Sequence, residues 1–257
     1  MKYTIIMPYL RRAVQLHNTL VSYRHYYRKR DDYRVVIGED GKNVRDEAEH
    51  KALKELLVPF RQIRKIHMET NWPECYNPCR IFNRAARETK SDYIVLTTPE
   101  IFHAADILAG FDEVLKDTPD AYIVSACANG FKTVADYEIP KIESVDEFKY
   151  SPLWYNPWRQ HSEHNNRMFH WCACISRKQY ETLGGFDEKY ATVKGWEDYD
   201  WILRIKLAGI PIVVRDDLVT VHQWHSTDYP GLTSEESDKL FFAGRDMFHA
   251  DYPGEPT

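Results

Sequence analysis

Residues 193–209 read VKGWEDYDWILRIKLAG, with Glu197, Asp198 and Asp200 directly after a glycine and a tryptophan and an apolar helical pattern starting at once. Acids in the first turn of a helix favour the positive end of its dipole, by under about 1 kcal/mol each. That accounts comfortably for one acid and less well for three beside an indole. The other reading is that a reaction needs a carboxylate there, to take a proton from an attacking hydroxyl. Further along, LVTVHQWHS places His222 and His225 around Trp224 at the close of an apolar strand pattern. A lone histidine there is ordinarily structural; an acid partner from elsewhere would make it a ligand. Cys75 and Cys79, and Cys172 and Cys174, lack zinc-knuckle spacing, so reduced or buried thiols are the simpler reading.

The elements that must position these residues alternate. Strand patterns at 3–8, 33–40, 61–68, 92–98 and 121–127 are separated by helical patterns at 11–30, 45–57, 79–89 and 104–117. The first helix carries Ala13, Leu16, Leu20, Tyr23 and Tyr27 on one stripe, and the second turns Ala48, Leu53, Leu56 and Leu57 inward. Strand alternating with helix predicts a parallel α/β sheet with right-handed crossovers. Ligands of such sheets bind outside the carboxyl ends of the strands, which here are Pro8 and Tyr9, Glu39 and Asp40, and residues 97–100. The first strand-to-helix turn, PYLRRA, has no glycine, and neither a GxGxxG nor a P-loop occurs anywhere. That argues against a dinucleotide dehydrogenase or a P-loop kinase. Residues 128–167 lose the rhythm and read as a long irregular segment, either part of an acceptor site or lid or a plain surface insertion. A strand at 168–176, MFHWCACIS, is expected to run antiparallel.

With 257 residues, 43% of them hydrophobic, the chain can bury one sizeable core and is too short for two ordinary domains. A net charge of −5 argues against gripping nucleic acid by bulk charge. The basic run Arg24, Arg28, Lys29, Arg30 and Arg34 reads as a solvated helix end or, more sharply, as a contact for a phosphate-bearing acceptor. No apolar run approaches the roughly 20 residues of a membrane span. The five cysteines are scattered and the opening apolar run is too short for an export signal, so a cytoplasmic protein is expected.

Four segments in order resemble the metal-dependent nucleotide-sugar glycosyltransferases of GT-A fold, nearest to the family 2 enzymes and to a galactosyltransferase-like C-terminal module. These are YTIIMPYLRR, YRVVIGEDG, GGFDEKYATVKGWEDYDWILRIKLAG and LVTVHQWHS, spanning residues 3–226, with 184–209 the most specific part. The resemblance implies a GT-A, Rossmann-like, mostly parallel sheet flanked by helices in a single domain. It divides the chain into a nucleotide-binding half at 1–127, an acceptor and catalytic half at 128–226 and a C-terminal extension at 227–257.

It also implies roles. Asp198 would be the base that activates the acceptor hydroxyl, Glu197 would bind sugar or acceptor hydroxyls, and Trp196 would pack on the sugar ring. Pro8, Tyr9, Arg11, Glu39 and Asp40 would contact the nucleotide, uridine first among the bases. The family's arginine–asparagine pair in the third helix reads Phe82-Asn83 here, so Asn83 carries over and Arg80 is a substitute. The family's Asp-x-Asp metal pair departs most: Thr98 stands where the first acid is expected and Glu100 where the second is. A divalent cation, Mn2+ ahead of Mg2+, would then rest on Glu100 and His222 with the donor's own oxygens, and His103 could add a nitrogen. The expected activity is inverting transfer of a sugar from a nucleotide-diphosphate donor to a glycan or glycolipid hydroxyl. The alternatives are transfer to a modified nucleic-acid base and a non-catalytic nucleotide-sugar binding module.

Overall fold

The computed structural model describes residues 1–72, 77–131, 140–148, 151–152, 157–225 and 232–255. Cys75 and parts of the irregular 128–167 segment lie outside them. The chain opens with β1 (Tyr3–Tyr9), α1 (Ala13–Tyr26), β2 (Tyr33–Glu39), α2 (Gly41–Arg45) and α3 (Glu47–Leu57). It continues through β3 (Lys65–Glu69), α4 (Cys79–Glu88), β4 (Tyr93–Thr97), β5 (Ile101–His103) and α5 (Ile107–Asp117). Then come β6 (Tyr122–Phe131), two short strands, β7 (Ser151–Pro152) and β8 (Trp158–Gln160), then β9 (Cys172–Ser176) and α6 (Arg177–Thr182). The last elements are α7 (Glu197–Leu207), β10 (Ile212–His222) and α8 (Ser234–Asp251).

One sheet runs through both halves in the order β3-β2-β1-β4-β9-β6-β10-β5, with β7 and β8 attached to β6. Strands β3, β2, β1 and β4 are mutually parallel, as are β6 and β10. Strand β9 enters antiparallel between β4 and β6, within the segment where an antiparallel strand was expected. It is shorter than 168–176 because Met168 adopts a φ of 61° and turns the chain ahead of it. Both faces of the sheet are covered, which is why its central strands read as unbroken apolar runs. Ile5, Met7, Val35 and Ile37 face a core shared with Leu16 and Leu20 of α1, Leu53 of α3 and Phe111 of α5. Their neighbours Ile6, Val36, Ile94 and Leu96 face the opposite core, with Phe82 of α4, Tyr180 of α6, Trp201 of α7 and Phe248 of α8.

Local chemistry moves several expected boundaries. Helix α1 stops at Tyr26, and Arg30 beyond it is drawn to Asp32 at 2.8 Å and Asp112 at 2.7 Å. The helix expected over 45–57 starts at Glu47, because Asp46 leaves helical geometry and its carboxylate accepts the Glu49 N–H as a cap; a separate short helix, α2, ends just before it. Ala48, expected inward, is exposed; Leu53 and Leu57 carry the buried side of α3. The third strand begins at Lys65 because Val58–Phe60 form a 3-10 turn. Helix α8 is set by a capping box in which Thr233 and Glu236 exchange hydrogen bonds. No helix among the described residues is long and apolar enough to cross a membrane.

Gly38 fixes how closely α4 lies on β2. A Cβ there would stand 2.2 Å from Ile81 Cγ2 and 3.2 Å from Met68 Cε. Gly38→Ala should lower unfolding free energy by about 1–3 kcal/mol, the usual cost of overpacking. Urea denaturation measures this; an unchanged midpoint at unchanged slope would show that α4 can shift at no cost.

Candidate active site

Two clusters of titratable side chains meet at one edge of the sheet. The first is built by strand pairing. Glu100 follows β4 and precedes β5, whose antiparallel register on β10 sets Ile101 opposite His222. The Gln223 N–H donates to the Glu100 carbonyl at 2.8 Å and locks that approach. Glu100 Oε1 then lies 3.8 Å from His222 Nε2 and 3.5 Å from His225 Nε2. The three ligand atoms all fall within 4.8 Å of one another, so one cation can reach them together. Burial alone would raise the Glu100 pKa, but the His225 hydrogen bond and the charges of His222, His225 and Arg12 hold it down at about 2. Burial, aided by Arg159, pushes His222 down to about 3. An ionised carboxylate beside a neutral imidazole is the state in which both can ligate. Thr98, where the first acid of a metal pair was expected, has a buried hydroxyl with no partner.

The second cluster opens α7. Trp196 is its N-cap, in a left-handed conformation with φ of 73°, and no side chain caps the helix. Glu197 and Asp198 therefore gain only the general favour of the dipole. The three acids have separate surroundings. Asp200, 1% exposed, is paired with Arg204 at 2.8 Å and accepts from Tyr252 Oη at 3.0 Å. Glu197 is buried and accepts a hydrogen bond from the Asn77 side-chain amide. Asp198 is the accessible one, its side chain 27% exposed, with His170 Nδ1 2.7 Å from its Oδ1. His170 sits edge-on to Phe82 and Phe186, with ring centroids 5.2 and 4.9 Å away. Burial disfavours its positive form, but Asp198 outweighs burial and raises its pKa. Glu197 is pushed up to about 7 by burial first and by the neighbouring Asp198 second. The two carboxyls thus differ in setting: Glu197 is buried and binds its proton more tightly than usual, and Asp198 is accessible. His170, Glu197 and Asp198 also lie close enough to hold a cation.

Several expected site residues are placed otherwise. Trp196 is 6% exposed and stacks on Tyr199 at 5.0 Å, with Phe241 and Phe248 of α8 each 5.6 Å away. Its left-handed backbone directs the ring into the core, so it offers no face to a sugar. Asn83 is a clamp: its amide donates to the Phe186 carbonyl at 2.8 Å and accepts from Phe186 N–H and Tyr180 Oη, each at 2.8 Å. These bonds use its amide to fasten the turn at Gly184 and Gly185, where φ is 78° and 73°. Arg80 Nε lies 3.7 Å from Glu188. Glu39 is fully buried and turned inward, bonded to Asn43, to His50 at 2.8 Å and to His67 at 2.7 Å. Asp40 stays at the strand end, capping α2 through the Lys42 N–H at 2.8 Å, with its pKa raised by burial. Tyr9 is buried with an unpartnered hydroxyl, Pro8 is half-buried, and Arg11 pairs with Asp46 at 2.8 Å. His103 faces the core, 2.5 Å from Tyr27 Oη, and is turned away from the Glu100 cluster. His170, Asn77 and Arg159 were not singled out from sequence. A histidine within an apolar strand pattern carries no signal until the fold supplies Asp198.

No family model matches the chain. Over 72 residues, 28% of its length, it is 36% identical to YfnE, an uncharacterized glycosyltransferase of Bacillus subtilis (strain 168), and that stretch covers 16% of YfnE. Among solved structures it is similar to the mannosyltransferase PcManGT from Pyrobaculum calidifontis in complex with GDP-Man and Mn2+. There the TM-score is 0.59 at 16% identity, over 90% of this chain and 58% of that one. It is also similar to S. aureus TarS 1-349 in complex with UDP-GlcNAc, with a TM-score of 0.59 at 11% identity, over 100% of this chain and 68% of that one. The chain has the fold of the GT-A-like glycosyltransferases. It spans less than two thirds of the length of YfnE and of PcManGT.

The Glu197 environment gives a signed pH dependence. A carboxyl raised to about 7 from an ordinary 4.5 keeps in the folded chain a proton that the unfolded chain has released. Its contribution to stability is complete below about pH 4.5 and is lost as pH rises towards 7. Glu197→Gln removes this dependence, so its melting temperature relative to the parent should climb between pH 4.5 and 7. A difference that stays flat in a pH series of thermal melts would mean that Glu197 is ionised throughout.

Proposed function

We propose that this chain is an inverting glycosyltransferase that moves a sugar from a nucleotide-diphosphate donor, a uridine one on the family resemblance, to a hydroxyl of a glycan or glycolipid. The observation that carries this reading is the accessible Asp198, held against His170 at the same sheet edge as Glu100, His222 and His225. PcManGT and TarS, of the same fold, were solved with nucleotide sugars, which supports a donor of that class.

In this reading the nucleotide lies at the carboxyl ends of β1 and β2, near Asp40 and the unpartnered Tyr9 hydroxyl. Asp198 takes the proton of the acceptor hydroxyl as its oxygen attacks the anomeric carbon, and the bond to the diphosphate oxygen breaks on the opposite face. That arrangement inverts the anomeric centre. Glu197, whose raised pKa keeps part of its proton near neutrality, can donate to a sugar or acceptor oxygen and adds less negative charge beside the base than an ordinary carboxylate would. His170 keeps Asp198 oriented. A mixed carboxylate and imidazole set fits Mn2+ better than Mg2+, and Glu100, His222 and His225 would hold it. Such an ion, when bound, offsets negative charge on the donor's phosphates.

Asp198→Asn keeps the size of the side chain but cannot accept a proton. Acceptor-dependent turnover should fall by about 100-fold or more, with donor affinity and melting temperature close to the parent's. Release of nucleoside diphosphate measures turnover. Parent-like turnover with a small loss of stability would reduce Asp198 to a helix-dipole residue.

The cation is tested separately. A chelator should abolish turnover and added Mn2+ should restore it, while Glu100→Ala should lose about 100-fold or more even with Mn2+ present. Full activity of the chelated protein and of the alanine variant would remove the metal from this proposal.

A further inference from the structure

One charged side chain interacts with the Glu100 cluster and lies beside the residue that follows His170. Arg159 lies in β8, whose neighbours pair with β6: Gln160 with Cys127 and Trp158 with Ala128. The next residue of β6, Asn129, stands opposite His222 on β10. Arg159 is therefore one strand away from the Glu100 and His222 cluster, and it interacts electrostatically with both. On its other side its guanidinium is 6.0 Å from the ring of Trp171, the residue after His170, which touches Asp198.

What Arg159 lacks is a hydrogen-bond acceptor for its Nε. Its Nε is buried with no hydrogen bond, and among the described residues no carboxylate is in ion-pair reach of it. Other partly buried arginines are well paired: Arg30 with Asp32 and Asp112, and Arg204 with Asp200 and two backbone carbonyls. Arg34 shares an unpartnered Nε, but it lies at the amino end of β2, away from the ligand edge. A guanidinium whose Nε is buried without an acceptor is unfavourable in the free protein. Burial works against its charge, and its pKa is lowered accordingly. The arrangement becomes favourable when an anion enters.

We propose that Arg159 binds the diphosphate of the donor and donates to the phosphate oxygen that receives the electron pair as the bond to the anomeric carbon breaks. This rests on the donor reading above. The charges agree with it. Thr98 replaces an acid, so a divalent ion on the Glu100 cluster keeps one net positive charge, and the Arg159 guanidinium makes two. A nucleotide-sugar diphosphate carries two negative charges. Arg159 thus supplies electrostatic stabilisation of the leaving group in a site of low dielectric. The planar fork of a guanidinium also suits two phosphate oxygens at once, which a lysine cannot match.

The test uses the full chain with Mn2+, calorimetry with UDP and GDP, and ligand-observed NMR with uridine and guanosine. Arg159→Met should weaken binding of the preferred diphosphate by roughly 10- to 100-fold and leave the matching nucleoside unaffected. Its ligand-free melting temperature should equal or exceed the parent's, because an apolar side chain replaces an unpaired charge. A purely structural arginine would lower it. Should Arg159→Met fail to fold, Arg159→Lys decides, with a smaller loss that is again confined to the diphosphate. Parent-like diphosphate affinity in these variants, or an equal loss for the nucleoside, overturns the role of Arg159 and leaves the donor reading intact. A parent protein that binds neither diphosphate overturns both.

Discussion

The direction of β9 is the constraint on which the site depends. Every strand in the first half of the sheet runs the same way, so their carboxyl ends share one edge. Strand β9 runs against them between β4 and β6, with Thr97 opposite Cys172, so its amino end reaches that same edge. His170 and Trp171 precede it and are delivered there without any loop having to reach over the sheet. Thr97 Oγ1 donates to the Trp171 carbonyl at 2.8 Å and fixes the delivery. A parallel strand in that slot would have carried these residues to the opposite edge. The helix that follows β9 returns the chain through the Gly184 and Gly185 turn, fastened by Asn83 and by Arg204, to the start of α7. One strand's orientation thus brings His170 and Asp198 together from positions 28 apart in sequence.

Burial then gives similar groups different states. Glu100 and Glu197 are the same residue type at the same edge, yet one is held at about 2 and the other at about 7. Desolvation acts on both in the same direction. The difference is in the neighbours: Glu100 has two histidines and Arg12 around it, and Glu197 has Asp198. His170, which opposes Glu197's shift, is itself raised by Asp198. The ionised carboxylate beside the neutral His222 suits ligation, and the carboxyl with the raised pKa suits donation to an oxygen. Asp198 keeps its exposure while the buried His170 approaches it.

Much of the fold was legible because parallel strands covered on both faces leave continuous apolar runs, and because helix stripes such as Leu16, Leu20, Tyr23 and Tyr27 recur at helical spacing. The pairing of Glu100 with His222 was legible from a family pattern alone; spacing says nothing about residues 122 apart. Trp196 was misread because its direction depends on a positive φ and on α8, an element not anticipated from the sequence. Glu39 was misread because the histidines that turn it inward come from α3 and β3, and nothing in either segment announces that contact. Arg159 left no signal at all, since an arginine becomes informative only when its missing partner can be seen.

These misreadings share a physical cause. A motif places its backbone at the ligand edge, but an edge residue can turn its side chain outward to the ligand or inward to support the edge. Trp196, Asn83, Glu39 and His103 all turn inward: the indole stacks in the core with its Nε1 unpartnered, and the other three hydrogen-bond within the protein. Asp198 and the Glu100 cluster keep accessible atoms, and Tyr9, Thr98 and Arg159 keep polar atoms that no described group satisfies. Unsatisfied buried polar atoms are costly in a folded chain; some, such as the hydroxyls of Tyr23 and Tyr190, lie in the core, while those of Tyr9, Thr98 and Arg159 lie at the edge that carries the two clusters able to hold a cation. Together with the two clusters, unmet hydrogen bonding at this edge is what the proposed anionic donor would satisfy, and no motif residue taken alone carries that information.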